Sequence, residues 1–456
     1  MPQPIEFQDQ SHQDEKPQGE PRPHRGRRVN RWLGGSLAAG DGPGQSLSGL
    51  ALRRLHRELR HCFEARITDH EASRHARALM QRYLGANEIE RAVLLRAIAL
   101  EAARFDVGGR GLTELLDSAR VRFFKRFNAL PEGLGFLVAL RADMLRHQRA
   151  LPALEPLAAD LGSLFSAWFD VGFLDLRSIT WDSPASLLEK LMRYEAVHRI
   201  DSWSDLRNRL DSDRQCYAFF HPQLPNEPLI FVEIALQETL AGDVGALLDE
   251  SAPLENLEKV KWAVFYSISN TQVGLRGVNF GNFLLKRVIE AVRAEFPKLE
   301  RFATLSPMPG FAPWVRAQSE AEVAAIAGSR LVRQLAQTAG GPLSLAGGDV
   351  ANWLGGDDAA DSATAVRRAL GERLAAHYLA RRFQAHQPLD GVARFHLGNG
   401  ACLERINWRA DRSEKGMRES FGMMVNYRYV LEDLDQNLQR LHDGEPRVGR
   451  AVARLL

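Results

Sequence analysis

A short glycine-bearing segment between a strand-like run and a helix-like run places the strongest constraint on the fold of this chain. The apolar residues 262–269 have the composition of a buried strand, and residues 283–289 have that of a helix. Glycines let a backbone approach a ligand closely, and the free N–H groups of a first helical turn attract anions. The segment therefore predicts a phosphate-binding loop, although a plain connection is the alternative. It consists of Arg276, Gly277, Val278, Asn279, Phe280, Gly281 and Asn282.

The spacing of its glycines separates this loop from the two common nucleotide-binding motifs. It contains neither G-x-x-x-x-G-K-[ST] nor G-x-G-x-x-G. It is similar to R-G-x-G-x-G/A, the pyrophosphate loop of GNAT-type acetyltransferases, with Asn279 in place of the middle glycine. The similarity favours coenzyme A over ATP or NAD as the ligand, while Asn279 weakens the expectation of backbone contact at that point.

Further runs accompany the loop in a set order along the chain. The most specific are Thr-Leu-Ser-Pro-Met-Pro-Gly-Phe at residues 304–311 and Phe-His-Leu-Gly-Asn-Gly-Ala at residues 395–401. Together with residues 195–198, 220–222 and 424–429, they resemble the malonyl-CoA decarboxylase family. The resemblance implies a GNAT-like domain that has lost acetyl transfer and decarboxylates malonyl-CoA to acetyl-CoA and CO2, a reaction of fatty acid metabolism.

This reaction sets the requirements for a site. Loss of CO2 leaves an electron pair at C2 of the malonyl group, which delocalises into the thioester as an enolate. The protein must hold the carboxylate, stabilise charge on the thioester oxygen and protonate C2. Because the thioester is itself the electron sink, we expect no metal and no cofactor beyond the coenzyme A of the substrate.

Ser306 is the candidate for orienting the malonyl group and stabilising the enolate. It precedes two prolines, Pro307 and Pro309, which restrict the backbone around its hydroxyl. The resemblance implies an acid/base role in contact with substrate. From the residues alone we favour hydrogen bonding, because an isolated serine is too weak a base to act alone. A simple Ser-Pro turn is the alternative.

His396 is the candidate proton donor to C2, since histidine titrates near neutral pH. It lies between Phe395 and Leu397, and the resemblance implies the same role. A hydrogen-bonded core histidine is the alternative. Tyr429 and Asn426 are further candidates for substrate hydrogen bonds, with an edge strand as the alternative, whereas His198 and His221 are assigned structural roles.

Basic side chains near the loop are candidates for the phosphates of coenzyme A. Arg276 is expected to neutralise a phosphate, while Gly277 and Gly281 permit its close approach. Lys286 and Arg287, in the first turns of the following helix, either face the 3′-phosphate or form a solvated face.

Composition narrows the classes of partner and the cellular location. The chain has 456 residues with a formal net charge of +2, which gives no argument for nucleic acid or membrane binding. Three cysteines suit a reducing compartment, and no histidine or cysteine has metal-ligand spacing. No signal peptide, apolar span of membrane length or terminal Ser-Lys-Leu is present, so we expect a cytoplasmic protein.

The pattern of polar, helical and mixed segments predicts an α+β protein with three parts. Residues 1–45 are predicted to be a disordered tail, residues 46–170 an all-α helical bundle, and residues 171–456 a GNAT-like mixed α/β catalytic domain. Residues 222–228 predict a long turn, and residues 340–356 a breaker-rich insertion. The bundle suggests a scaffold for a homo-oligomer, of which a tetramer is one form.

Two other functions remain open at this point. The first is a GNAT-type acyltransferase that uses an acyl-CoA, because the same loop serves both reactions. The second is a non-catalytic acyl-CoA-binding sensor with the helical bundle as its output.

Overall fold

The computed structural model describes residues 49–64, 68–105, 118–278, 284–338, 344–356 and 361–456, so the predicted tail lies outside it. The N-terminal part is all helical, as predicted. Within the described ranges it contains α1 (Gly49–Phe63), α2 (Asp69–Leu84), α3 (Glu88–Phe105), α4 (Ala119–Asn128), α5 (Gly133–His147) and α6 (Glu155–Trp168).

Local sequence signals set several of these helix starts. Asn87 and Glu90 exchange hydrogen bonds between side chain and backbone, at 2.9 and 3.0 Å, in the capping box that begins α3. Ser118 caps α4 by accepting from the backbone N–H of Val121. The bundle is then held by buried aromatic side chains, among which the rings of Phe63 and Phe123 stack at 4.3 Å.

The remainder of the chain combines a mixed sheet with helices, which confirms the α+β class. Its strands are β1 (Asp175–Ile179), β2 (Arg214–His221), β3 (Leu224–Gln237), β4 (Trp262–Asn270), β5 (Arg301–Thr304), β6 (Ser306–Pro307), β7 (Phe383–Gln384), β8 (Gln387–Pro388), β9 (Cys402–Asn407) and β10 (Met424–Tyr429). Its helices are α7 (Ala185–Tyr194), α8 (Trp203–Asn208), α9 (Val244–Leu248), α10 (Leu284–Glu295), α11 (Phe311–Arg316), α12 (Glu320–Thr338), α13 (Gly347–Gly355), α14 (Asp361–Arg381), α15 (Gly391–Gly398), α16 (Glu414–Ser420), α17 (Leu434–His442) and α18 (Arg450–Ala453).

The sheet runs in the order β1-β2-β3-β4-β5-β10-β6, with β9 paired to the other edge of β10. Neighbouring strands are antiparallel except β4 and β5, which are parallel and joined through the predicted loop and α10. This is the strand–loop–helix–strand unit that the sequence predicts. Its parallel pair ends where the backbone N–H of Leu305 donates to the carbonyl of Phe265.

One predicted turn is wrong, and the predicted insertion contains a helix. The predicted turn at residues 222–228 is mostly strand, because β3 begins at Leu224 and shifts in its pairing with β2 accommodate the prolines. The predicted insertion at residues 340–356 contains α13, although residues 339–343 lie outside the description. Buried Val350 and Leu354 stabilise α13, and Gly347 allows its first turn to approach the carbonyl of Val315.

The helical bundle packs directly against the sheet, and one continuous hydrophobic core includes residues of both. The backbone after β4 also approaches the bundle closely at Gly274, where an added Cβ would lie only 2.0 Å from the carbonyl oxygen of Val138 on α5. The predicted division into domains at residues 170 and 171 stays a prediction. Within the described ranges, no helix has the length and hydrophobicity that crossing a bilayer requires.

Candidate active site

A cleft of about 630 Å³ lies beside the ends of β4 and β5. The start of the predicted phosphate loop, Gly277 and Val278, lines it together with Ser306 and His396. Apolar side chains such as Phe265 and Ile268 form much of the rest of its wall. The structure thus brings the described start of the loop and both predicted catalytic residues to one cavity, although they are far apart in the chain.

Ser306 is positioned by a break in the sheet. Leu305 interrupts the strand between β5 and β6, and β10 spans both pieces by pairing with Phe302 and Ala303 on one side of the break and with Ser306 and Pro307 on the other. Ser306 is only 5% exposed. Its hydroxyl is therefore fixed by backbone pairing at the edge of the cleft.

The side chain of Ser306 belongs to a buried chain of hydrogen bonds. Its Oγ lies 3.0 Å from Nε2 of His396 and donates to Oγ1 of Thr304 at 2.8 Å. Nδ1 of His396 lies 2.9 Å from the hydroxyl of Tyr429. The ring of Tyr427 stacks on the imidazole with the ring centroids 4.6 Å apart. These contacts hold the imidazole at both nitrogens and over one face.

The direction of these hydrogen bonds follows from which of the atoms carry a proton. A neutral imidazole has one N–H donor and one acceptor nitrogen. Because the Ser306 proton points to Thr304, the Ser306 oxygen accepts from His396, so the imidazole proton is on Nε2. Nδ1 then accepts from the hydroxyl of Tyr429. This tautomer is assigned from the hydrogen-bond network.

Burial keeps both titratable members of this chain neutral. Burial lowers the pKa of His396 to about 3 and raises the pKa of the Tyr429 hydroxyl well above its usual value. The imidazole is therefore uncharged at neutral pH. A neutral imidazole, rather than an imidazolium ion, lines the cleft, with its N–H directed at Ser306.

Asp390 fixes the helix that carries His396. Its carboxylate caps α15 by accepting from the backbone N–H groups of Val392 and Ala393, each at 2.9 Å. The hydroxyl of Tyr378 also donates to it, at 3.2 Å. Burial raises the pKa of Asp390, and a further hydrogen bond from the backbone N–H of Gly310 opposes that rise. Gly310 ends the Pro-rich loop after Ser306, so Asp390 ties the serine loop to the histidine helix. Sequence reasoning did not single it out.

The described part of the predicted phosphate loop has the expected backbone. Gly277 has a positive φ of 75°, which L side chains rarely adopt, and it lines the cleft. Arg276 is exposed, and Val278 is buried. The other predicted loop residues, Asn279, Phe280, Gly281 and Asn282, lie outside the described residues.

The structure places the two basic residues after the loop, Lys286 and Arg287, outside the lining of the cleft. Nη1 of Arg287 donates to the carbonyl of Leu174 at 2.8 Å, and its guanidinium lies 5.7 Å from the centre of the Phe219 ring. Arg287 thus contacts the segment before β1 and the ring of Phe219 on β2. Neither it nor Lys286 lines the cleft.

Arg394 is a cleft residue that the sequence analysis missed. Among the described lining residues it is the one with a permanent charge, and its Nε and Nη2 donate to the carbonyl of Pro388 at 3.3 and 3.2 Å. No carboxylate in the described ranges pairs with it. No sequence signal marked it, because it is one of 59 lysines and arginines and belongs to no recognised motif.

The two further candidates for substrate hydrogen bonds, Tyr429 and Asn426, have different surroundings. Tyr429 reaches the site through His396, and β10 is internal rather than an edge strand. Asn426 is fully buried, and its amide donates to the carbonyls of Ala241 and Thr304 while its oxygen accepts from Arg405 and Asn407. Its polar atoms are therefore engaged within the protein.

The histidines assigned to structure lie outside the cleft lining. His221 packs edge-on against Phe169, and its Nδ1 accepts from the backbone N–H of Gln223. Among the described residues, no group of three or more His, Cys, Asp or Glu side chains is arranged to hold a metal ion. The expectation that the protein needs no cofactor stays a prediction.

Comparison with known proteins places this chain in a family. Residues 172–456 match the profile described as "Malonyl-CoA decarboxylase C-terminal domain", and residues 89–169 match "Malonyl-CoA decarboxylase N-terminal domain". Mitochondrial malonyl-CoA decarboxylase of Rattus norvegicus is 38% identical over 329 residues, which cover 69% of this chain and 66% of that protein. The chain thus spans slightly less than two thirds of the length of this relative.

Solved structures give the same result. A crystal structure of malonyl-CoA decarboxylase from Cupriavidus metallidurans is 53% identical, with a TM-score of 0.81, covering 89% of this chain and 100% of that one. Another, from Rhodopseudomonas palustris, is 38% identical with a TM-score of 0.73, covering 90% of this chain and 100% of that one. With matched profiles extending over most of its length, the chain belongs to the malonyl-CoA decarboxylase family.

Proposed function

We propose that this protein decarboxylates malonyl-CoA to acetyl-CoA and CO2 without a metal or additional cofactor. The observation that carries the proposal is the contact of 3.0 Å between Ser306 and His396 in the cleft that the phosphate loop borders. Family membership supports it, because the relatives named above carry this activity in their names. The thioester of the substrate supplies the electron sink that the reaction needs.

Ser306 serves the step that breaks the carbon–carbon bond. As CO2 leaves, the electron pair of that bond moves to C2 and into the thioester, so negative charge develops on the thioester oxygen. The Ser306 hydroxyl donates to Thr304. Rotation about its Cβ–Oγ bond turns the same proton toward the developing oxyanion. A hydroxyl held at the edge of the sheet is already in place for this contact.

His396 serves the step that forms acetyl-CoA. The carbanion at C2 takes the proton from Nε2, and Nδ1 takes the proton of the Tyr429 hydroxyl across their contact of 2.9 Å. The new C–H bond replaces the Nε2–H bond, and Tyr429 regains a proton from solvent as the products leave. One proton is consumed overall, as the conversion of a malonyl carboxylate to CO2 and an acetyl group requires.

The direct test is incubation of the purified protein with malonyl-CoA and a chelator, with acetyl-CoA measured by mass spectrometry. Formation of acetyl-CoA under these conditions supports the proposal. Activity that is lost on exhaustive chelation and restored by a divalent ion would overturn the cofactor-free mechanism. Acyl transfer from acetyl-CoA to an amine without malonyl-CoA turnover would instead identify an acyltransferase, and binding without either reaction a sensor.

The pH profile is expected to lack a histidine inflection near pH 6.5. Because burial lowers the pKa of His396 to about 3, the imidazole stays neutral as pH falls from 8 to 5, and kcat/KM should not change through its titration. The unfolded chain does bind this proton below about pH 6.5, so His396 should reduce stability progressively as pH falls from there toward 3.

Measurement of kcat/KM and of the unfolding midpoint against pH, for the wild type and His396→Gln, checks both statements. The variant should lose less stability on acidification than the wild type. A wild-type inflection near pH 6.5 that His396→Gln removes would contradict the neutral-imidazole mechanism.

The arginines at the loop and in the cleft are expected to act on substrate binding. Arg276→Ala and Arg394→Gln should each raise KM for malonyl-CoA with a smaller change in kcat, because loss of a hydrogen bond to a charged group costs about 1.5–3 kcal/mol. Steady-state kinetics with malonyl-CoA and malonyl-pantetheine checks this. Arg287→Gln is the matched control, because its guanidinium is directed at Leu174. A collapsed kcat at unchanged KM would exclude a binding role.

We also propose self-association through the helical bundle. Leu84, Ile89 and Leu100 on α2 and α3 are 45%, 60% and 51% exposed, a large exposure for apolar side chains. Light scattering of the wild type and of a variant with Ile89→Lys and Leu100→Lys tests this, since two charges should disrupt an apolar interface. A tetramer and a cytoplasmic location stay predictions from the sequence.

A further inference from the structure

Arg141 connects the helical bundle to the phosphate loop. It lies on α5 and is only 7% exposed. Its Nε donates to the carbonyl of Ala158 on α6 at 2.9 Å. Its Nη1 donates to the carbonyls of Gly274 and Arg276, at 2.6 and 3.0 Å. One buried guanidinium thus joins two helices of the bundle to the segment that leads directly into Gly277 at the cleft.

Two glycines make room for this contact. A Cβ added at Gly162 on α6 would lie 2.8 Å from Nη2 of Arg141, and one added at Gly274 would lie 2.0 Å from the carbonyl of Val138. Side chains at either position would separate the bundle from the loop segment or displace the guanidinium. The close packing therefore depends on residues of both parts of the chain.

The charge of Arg141 has no counter-ion among the described residues. Its hydrogen bonds all go to carbonyl oxygens, and burial alone, with no carboxylate, lowers its pKa from the usual value. Arginine remains protonated even so. Buried charges in proteins are normally paired, because removing one from water is costly. Here a positive charge is instead held against the carbonyls of Gly274 and Arg276, where the loop predicted to receive phosphates begins.

We propose that Arg141 is a positioning residue for the coenzyme A part of the substrate. It fixes the carbonyls of Gly274 and Arg276, so that the following backbone faces the cleft, and its uncompensated charge attracts the phosphates through the loop. The helical bundle is then part of the acyl-CoA site. This inference rests on the proposed binding of a coenzyme A ester, but it requires no turnover.

Calorimetric binding of coenzyme A and of pantetheine, which lacks the phosphates, tests this role. Arg141→Met removes the charge and the fork of donors, whereas Arg141→Lys keeps the charge. We expect Arg141→Met to weaken coenzyme A binding about tenfold, which is about 1.4 kcal/mol, and Arg141→Lys to restore part of the loss. Pantetheine binding should change much less for both. Thermal unfolding establishes that each variant is folded.

Arg126 supplies a matched control within the same bundle. Its guanidinium also donates to backbone carbonyls, those of His61, Cys62 and Glu64, but none of these residues lines the cleft. Arg126→Met should lower stability and leave coenzyme A affinity unchanged. Equal affinity of the wild type and a folded Arg141→Met, or equal losses for coenzyme A and pantetheine, would overturn the proposal. A wild type that fails to bind coenzyme A would instead contradict the proposed function itself.

Discussion

His396→Asn is expected to lower kcat for malonyl-CoA about 10²–10⁴-fold, the usual contribution of a positioned general acid. The imidazole lines the cleft, with its Nε2 in contact with Ser306 and its Nδ1 paired with Tyr429. Asparagine can donate a hydrogen bond, but it cannot accept a proton from Tyr429 while it releases one to C2. KM should change much less, because we propose that the phosphates bind at the loop and not at His396.

The test for His396 needs a control for loss of a buried ring. His221→Asn removes a ring that packs against Phe169, away from the cleft, and should affect stability rather than kcat. Steady-state kinetics and thermal unfolding of both variants separate the two effects. If folded His396→Asn retained normal specific activity, His396 would be a core histidine, and Tyr429 would be the next candidate for the acid.

Ser306→Ala is expected to lower kcat about 10²–10³-fold, the effect of removing one preorganised donor from an oxyanion site. The loss should be smaller than that for a residue which also transfers a proton. Ser267→Ala is the matched control, because Ser267 is equally buried but its hydroxyl is bonded to Glu195. Kinetics of both variants, with thermal unfolding, distinguish catalysis from packing.

A double variant that combines Ser306→Ala with His396→Asn gives a second check of these roles. Because Ser306 and His396 act on the same transition state, the double variant should lose less than the product of the two single losses. Losses that multiply fully would mean that the residues act independently, which their contact of 3.0 Å does not predict.

Local sequence was sufficient for the elements that carry the site. The apolar run before Arg276 and the helical run after Gly281 specify β4 and α10, because periodicity and turn residues act over a few neighbours. The capping box at Asn87 and Glu90 has the same local origin. The turn predicted at residues 222–228 shows the limit of such rules, since pairing with β2 overrides the local preference of the prolines.

The resemblance, rather than periodicity, selected Ser306 and His396 from many serines and histidines. The resemblance did not indicate roles for Thr304, Asp390 or Arg394, because these roles depend on contacts that form only in the folded chain. Thr304 matters through the proton of Ser306, and Asp390 through two segments that it joins. Such roles are properties of contacts, and no single position in the sequence displays them.

By itself, the sequence determined the α+β class, the helical N-terminal part and the strand–loop–helix unit, because hydrophobic spacing and turn chemistry are local. Only the tertiary structure brought Ser306 to within 3.0 Å of His396, stacked Tyr427 on that imidazole, and joined Arg141 to the carbonyls of Gly274 and Arg276. Burial then lowered the pKa of His396 to about 3, which no sequence pattern indicates. Desolvation and long-range contacts arise from packing, so they exist only once the whole chain has folded.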